Sequence, residues 1–397
     1  MSRLLICSFT VLLSVGLPLL GVALAGKPIG GYLEFPPKIP FVEHAAFSWP
    51  VFAGLALLIL ASLAPFLLRI LFCTLPSTLS ARGRGKGEGE RRGEGVQGEE
   101  RMGEGRGFPW WGCLGIAWTM AAWVLAWTRW EWMEPFQTWT FTPLWIGYIV
   151  VVNAWTVRRG GASLMIEEPT AFAALFPASA AFWWLFEYLN RFVQNWYYSG
   201  VAELSALDYV VQASIPFSTV LPAFVSTYQL LATMPSLSCG LDFGPALRVR
   251  SPRVWAFTAL LLAGGGLLGL GLRPNVLFPL VWTAPLGLLV SLQVLAGQRT
   301  IFEPLRHGDW RSLWTAALAA LVCGLFWELW NWRSLAHWSY AIPYVDRFPL
   351  FAMPLLGYAG YLPFGLECLA IADLVLADLM QGRWPPHRTT CATEMRD

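Results

Sequence analysis

Charge is the scarcest ingredient of this 397-residue chain: 13% of its residues are Asp, Glu, Lys or Arg, roughly half the share of an average soluble domain. Lysine occurs only as Lys27, Lys38 and Lys86, all outside the apolar runs, so no amine is available for a retinal Schiff base within a bundle. The four histidines are His44, His307, His337 and His387. No two share one expected helix at ligand spacing, which argues against a bis-His haem or any other metal site. Neither a P-loop nor a glycine-rich dinucleotide fingerprint is present. The net charge is +2 and the basic residues form no stripe, so nucleic acid is not an expected partner. The seven cysteines contain no Cys-x-x-Cys pair. They read as small apolar fillers, and no disulfide framework is expected.

What the chain has in abundance is apolar surface, at 56% of residues. Ten apolar segments stand out, near 4–25, 46–73, 110–128, 141–157, 169–190, 207–234, 254–271, 276–297, 311–331 and 348–380. A helix of about 20 apolar residues spans a bilayer core. The expected fold is therefore an all-α polytopic membrane protein of about ten transmembrane helices. The first segment, with Arg3 before it and Ala23-Leu24-Ala25 at its end, also fits a cleavable signal peptide. Its 22 residues are long for a signal core, so it reads as a retained helix. Residues 82–107 hold ten glycines and thirteen charged residues, a composition that cannot bury a core. The expected domains are two N-terminal helices (1–73), a disordered cytoplasmic linker (74–109), four-helix units at 110–240 and 241–380, and a tail (381–397).

The two units are read as internal repeats. Glu187 and Asn190 recur as Glu328 and Asn331, both 141 residues on, and Leu221-Pro222 recurs at the same offset as Leu362-Pro363. Thr142-Pro143-Leu144 and Ala284-Pro285-Leu286 lie 142 apart, as do Trp196-Tyr197-Tyr198 and Trp338-Ser339-Tyr340. An even number of spans per unit gives both copies the same direction, with a pseudo-twofold axis along the membrane normal. Sites in such folds lie at the interface between copies.

Ionisable residues inside spans are costly and usually face the interior of the bundle. That makes Glu187, Glu328 and Glu367 the candidate catalytic groups. Asn190 and Asn331 lie one helical turn from two of the acids. Trp183, Trp184, Trp327, Trp196, Trp338, Tyr198 and Tyr340 surround them, and with the asparagines they form the candidate substrate-binding set. Ring faces in such a set stabilise a cation. The competing reading is structural: Glu and Asn join helices by hydrogen bonds, and Trp near span ends marks interfacial depth. Pro349, Pro354, Gly357, Gly360, Pro363 and Gly365 interrupt the last segment, so a kink or re-entrant piece is expected there.

The pattern resembles the membrane-embedded lycopene cyclases of the bacterial heterodimeric and fungal type. Phe186-Glu187 is followed nine residues on by Trp196-Tyr197-Tyr198, and Trp327-Glu328 ten residues on by Trp338-Ser339-Tyr340. Leu362-Pro363-Phe364-Gly365-Leu366-Glu367 stands where the family has Leu-Pro and acids. Where the family carries Asp in its aromatic–acid pair, both copies here carry Glu. The resemblance implies cyclisation of an acyclic carotenoid or isoprenoid end, an isomerase-type reaction without a cofactor, in which a carboxyl acts as general acid. The implied partners are membrane lipid and a hydrophobic isoprenoid substrate. Two alternatives remain open: a non-catalytic membrane scaffold or assembly component, and a transporter or lipid carrier built from two parallel repeats.

The Lys and Arg count sets the topology. With the N-terminus inside, the inner loops receive 20 basic residues and the outer loops 7, the cytoplasmic excess expected of a bacterial-type inner membrane. Reporter fusions after Lys38, Arg191 and Arg347 should report a periplasmic location, and fusions within 82–107 a cytoplasmic one. A cytoplasmic signal at Arg191 would overturn the span order from the fifth helix onward.

Overall fold

The computed structural model describes residues 2–38, 41–74, 107–200 and 204–380. The charge-rich stretch 82–106 and the tail 381–397, read above as linker and cytoplasmic tail, lie outside the described residues. The chain is a multi-pass membrane protein. Among the described residues eight helices are long and apolar enough to cross a bilayer, or up to ten if each of two bent pairs counts as one span. The ten coincide with the ten apolar segments.

The helices are α1 Arg3–Leu24, α2 Gly30–Leu33, α3 Trp49–Thr74, α4 Trp110–Trp127, α5 Phe141–Gly160, α6 Leu164–Glu167 and α7 Pro169–Val193. They continue as α8 Ala206–Phe217, α9 Val220–Ala232, α10 Pro252–Leu272, α11 Pro274–Leu277, α12 Ala284–Leu295, α13 Arg311–Asn331 and α14 Tyr361–Leu379. Proline opens α7 and α10, where its missing N–H costs nothing. Gly161, with φ 82°, closes α5 in the left-handed conformation that a side chain would oppose. The bent pairs are the expected fourth and eighth segments. In each, a short 3-10 piece meets the following helix at an angle, 68° before α5 and 52° before α12. The proline- and glycine-interrupted last segment is not one helix. It forms a small hairpin of Pro349–Leu350 with Met353–Pro354, a 3-10 turn, and then α14.

α7, α9, α13 and α14 pack at the centre, with α5 and α12 beside them. α1 is part of this body. Its buried residues Ile6, Thr10, Ser14, Pro18, Gly21 and Val22 form one stripe. At Gly21 a Cβ would lie 2.0 Å from the Leu268 carbonyl oxygen on α10, so the two backbones meet where only glycine fits. α3 instead buries none of its residues. It is held at its two ends.

The chain between α1 and α3 is strapped across the ends of the other helices. Arg191 donates to the Tyr32 and Glu34 carbonyls at 2.8 and 2.9 Å. Phe35 packs on Trp184 and Tyr209, and Phe41 on Tyr197. His44 hydrogen-bonds the Gln194 carbonyl and the Asn275 side chain. The backbones of Ala45 and Ser48 pair with Tyr344.

Two features depart from the sequence reading. The Trp-x-Tyr segments, which lie outside the ten apolar segments, are strands: β1 Trp196–Ser199 pairs antiparallel with β2 His337–Tyr340. Cysteine is not only filler, because Cys73 at the end of α3 is bridged to Cys239 after α9. The partners are 166 residues apart, and nothing in their local sequence announces them. Arg69 reinforces the junction by donating to the Gly240 and Phe243 carbonyls. A protease site placed between Cys73 and Trp110 tests the bridge. After cleavage the two fragments should run as one band without reductant and as two with it. Two bands under both conditions would refute it.

Candidate functional site

The site is built on the β1–β2 pair. Trp196 faces Tyr340, Tyr197 faces Ser339, Tyr198 faces Trp338 and Ser199 faces His337. Each strand is hung from the helix before it by an asparagine. At the end of α7, Asn190 accepts from the Asn195 and Trp196 amides at 2.9 and 3.4 Å and donates to the Trp196 carbonyl at 2.7 Å. At the end of α13, Asn331 accepts from the Trp338 amide at 2.8 Å and donates to its carbonyl at 2.7 Å. Both asparagines are buried. They satisfy backbone groups of the strands that the strand pairing does not.

The acids lie one turn back on the same helices, both buried. Glu187 Oε1 accepts from the Trp183 and Trp196 indoles at 3.1 and 3.2 Å and from the Tyr198 hydroxyl at 2.5 Å. Glu328 Oε1 accepts from the Tyr340 and Tyr361 hydroxyls at 2.6 and 2.9 Å. The Trp338 indole, in the position equivalent to Trp196, donates to the Tyr340 hydroxyl at 2.8 Å instead. In both acids Oε2 has no hydrogen-bond partner among the described residues.

A cavity of about 580 Å³ opens between these groups. Trp183, Trp196, Tyr198, Trp327, Trp338, Tyr340 and Tyr361 line it. Further aromatic wall comes from Phe141, Phe217 and Trp282. The Trp183 and Trp327 rings meet at 4.9 Å across the two halves, and Trp282 stacks on Phe186 and Trp196. Pro36, Pro37 and Lys38 of the strap, Tyr209 and Gln212 of α8, and Met353, Gly357 and Gly360 also line it. The volume lies within the range of small-ligand sites, and the walls are mainly apolar.

The structure sorts the candidate residues. Trp183, Trp196, Tyr198, Trp327, Trp338 and Tyr340 line one cavity. Glu187 and Glu328 stand directly behind it, bonded to its lining tyrosines. Asn190 and Asn331 hold the strands and do not line it. Trp184 is turned away from the cavity, donating to Ser214 Oγ at 3.0 Å. Glu367 is elsewhere: its Oε1 accepts from the Leu286 amide at 3.2 Å. It thereby satisfies one of the free N–H groups in the first turn of α12. Tyr361, Tyr209, Trp282 and Phe141 were missed as lining residues. For Tyr361 the repeat carried no signal, since the 141 offset puts Val220 in its place.

Among the described residues no three of His, Cys, Asp and Glu gather as metal ligands. What the arrangement offers is proton transfer: a carboxyl linked through a phenol to an apolar, cation-tolerant chamber. No protein-family model matches the chain, and no characterised protein or solved structure was found similar to it.

The asparagines carry a stability prediction. Asn331→Leu strands the Trp338 amide and carbonyl, at a cost of about 1–3 kcal/mol for each buried group left unpaired. Thermal unfolding in detergent should show a clear loss, with Asn331→Asp, which keeps the acceptor, falling between Leu and the parent. An Asn331→Leu protein as stable as the parent would show that the clamp carries no load.

Proposed function

We propose that the protein is an isoprenoid-modifying membrane enzyme that moves protons through its two Glu–Tyr pairs, in the manner of a lycopene cyclase. The observation that carries this reading is that two carboxyls, on different helices, are each bonded to a phenol lining one aromatic cavity. The palindromic register of β1 and β2 supports two related halves that share this chamber. The 20:7 charge split supports cytoplasmic termini and a cavity near the outer face.

The chemistry follows from the pairs. With Glu328 protonated, its carboxyl donates to the Tyr340 oxygen and the Tyr340 hydroxyl turns into the cavity. The phenol proton passes to a terminal alkene carbon while the carboxyl proton replaces it on the phenol. The resulting carbocation closes on a neighbouring double bond, which forms a C–C bond. Loss of a proton from an adjacent carbon, taken through Tyr198 to Glu187, restores an alkene. One proton enters and one leaves, so the product is an isomer and no oxidant is needed. Trp183, Trp196, Trp327 and Trp338 face the cation.

Membranes that carry the protein, supplied with unlabelled lycopene in heavy water, test this. Turnover should yield cyclised product one mass unit heavier per closed ring. Glu328→Gln keeps the shape and hydrogen bonding but carries no transferable proton, and Tyr340→Phe breaks the link. Each should lower product by about 100-fold or more, the range of general acid–base catalysis, with unchanged membrane insertion and thermal stability. If the variants fold and act like the parent, the acids are structural glue and the reading fails.

A further inference from the structure

The two walls of the cavity differ in one respect that bears on its ligand. On α8, Tyr209, Gln212, Ala213 and Pro216 line the cavity. Their spacing of three, four and seven residues is one helical face. Leu207, Val211 and Ile215 on the opposite face are exposed, towards lipid. α8 is thus a wall one helix thick between chamber and bilayer. At the 141 offset, Gln212 corresponds to Met353 and Pro216 to Gly357, and both counterparts also line the cavity. One wall therefore presents an amide where the other presents a thioether.

That amide is uncommitted. Among the described residues Gln212 makes no hydrogen bond, although it sits within a span, where an unpaired polar group is costly and usually functional. The charged groups near the mouth, by contrast, have partners. The Lys38 ammonium lies 2.8 Å from the Glu34 carboxylate, and the His337 imidazole bonds the Leu335 carbonyl at 3.0 Å. The mouth offers little net charge to a phosphate.

We infer that the preferred ligand is an oxygenated isoprenoid, a long apolar chain ending in a neutral hydroxyl or carbonyl, that Gln212 reads that oxygen, and that a hydrocarbon such as lycopene is accepted as a poorer substrate. This rests on the proposal that the cavity holds an isoprenoid, and it adds the polarity of the chain end. A pure hydrocarbon fills the aromatic chamber but leaves the amide unpaired. A phosphorylated chain brings a charge, and among the described residues at the mouth Lys38 and His337 are already engaged.

Binding measured by quenching of intrinsic tryptophan fluorescence, on the full chain in nanodiscs, decides the matter. The probes are geranylgeraniol, geranylgeranyl monophosphate and the hydrocarbon of the same chain. The alcohol should bind about tenfold more tightly than the hydrocarbon, the value of one hydrogen bond near 1.4 kcal/mol. It should also outbind the phosphate. Gln212→Met, which keeps length and matches Met353 on the other wall, should abolish the preference, so that alcohol and hydrocarbon bind equally. Gln212→Asn, with an amide one carbon shorter, serves as a folded polar control. Equal affinity for alcohol and hydrocarbon in the parent, a preference that survives Gln212→Met, or tightest binding of the phosphate would each overturn the inference. Failure of all three probes to bind would instead remove the isoprenoid reading on which it rests.

Discussion

The antiparallel pairing of β1 with β2 is the constraint on which the rest depends. Four residues that follow α7 and four that follow α13 are laid side by side between helix ends, partly shielded from water. The pairing satisfies the inner edges, and Asn190 and Asn331 satisfy backbone at the strand starts. Because of the register, Trp196 lies across from Tyr340 and Tyr198 across from Trp338. Each half thus contributes one indole and one phenol to the same small area. Shifting either strand by one residue would turn every ring to the other side. The carboxyls would then lose Tyr198 and Tyr340 together. Register, cavity wall and acid environment are therefore one problem with one solution.

Much of this was legible in the sequence, because the membrane makes sequence patterns strict. A spanning helix must be apolar over its length, so all ten segments could be counted. A polar residue inside a span needs a reason, so Glu187, Glu328, Asn190 and Asn331 stood out. What the sequence withheld was the division of labour among them. Glu and Asn one turn apart look alike as candidates. Only the fold shows that the asparagines bond backbone and the acids bond phenols. Glu367 drew attention for the same reason as the other acids, yet it meets the first turn of α12, and that contact depends on a tertiary packing no local pattern encodes. Tyr361 was hidden because the residue 141 positions before it is Val220, so no recurring pattern marks it. The strands were hidden because four residues are too few to show a period.

Two rules about compartments point in opposite directions at the far face of the protein. The charge count predicts a cytoplasmic location for the face that carries Arg69, Arg158 and Arg159. Cys73 and Cys239 are bridged on that same face, whereas cytosolic thiols are generally kept reduced. The count sums 27 residues over all the loops, while the bridge is one pair. The junction does not depend on the sulfurs alone, since Arg69 holds Gly240 and Phe243 by hydrogen bonds that reduction leaves in place. α3, which buries no residue of its own, needs both.

Two acids behind one cavity also answer a question that a single acid would raise. A group that gives its proton to the substrate ends the reaction ionised and must be reloaded. If the substrate's second proton leaves through the other pair, the two acids exchange states: Glu328 ends ionised and Glu187 protonated. In the proposed reaction the local twofold of the strands would let the next turnover run with the roles reversed, from Tyr198 to Tyr340, once the carboxyl protons have exchanged with water. The symmetry is imperfect in an informative way. Glu187 is held by two indoles and one phenol, Glu328 by two phenols. An indole can only donate, whereas a phenol can donate and accept. Glu328 thus has two possible relays into the cavity and Glu187 has one. Removing Tyr361 leaves each half a single relay and should make the two directions more nearly equal, whereas removing Tyr198 closes one half altogether.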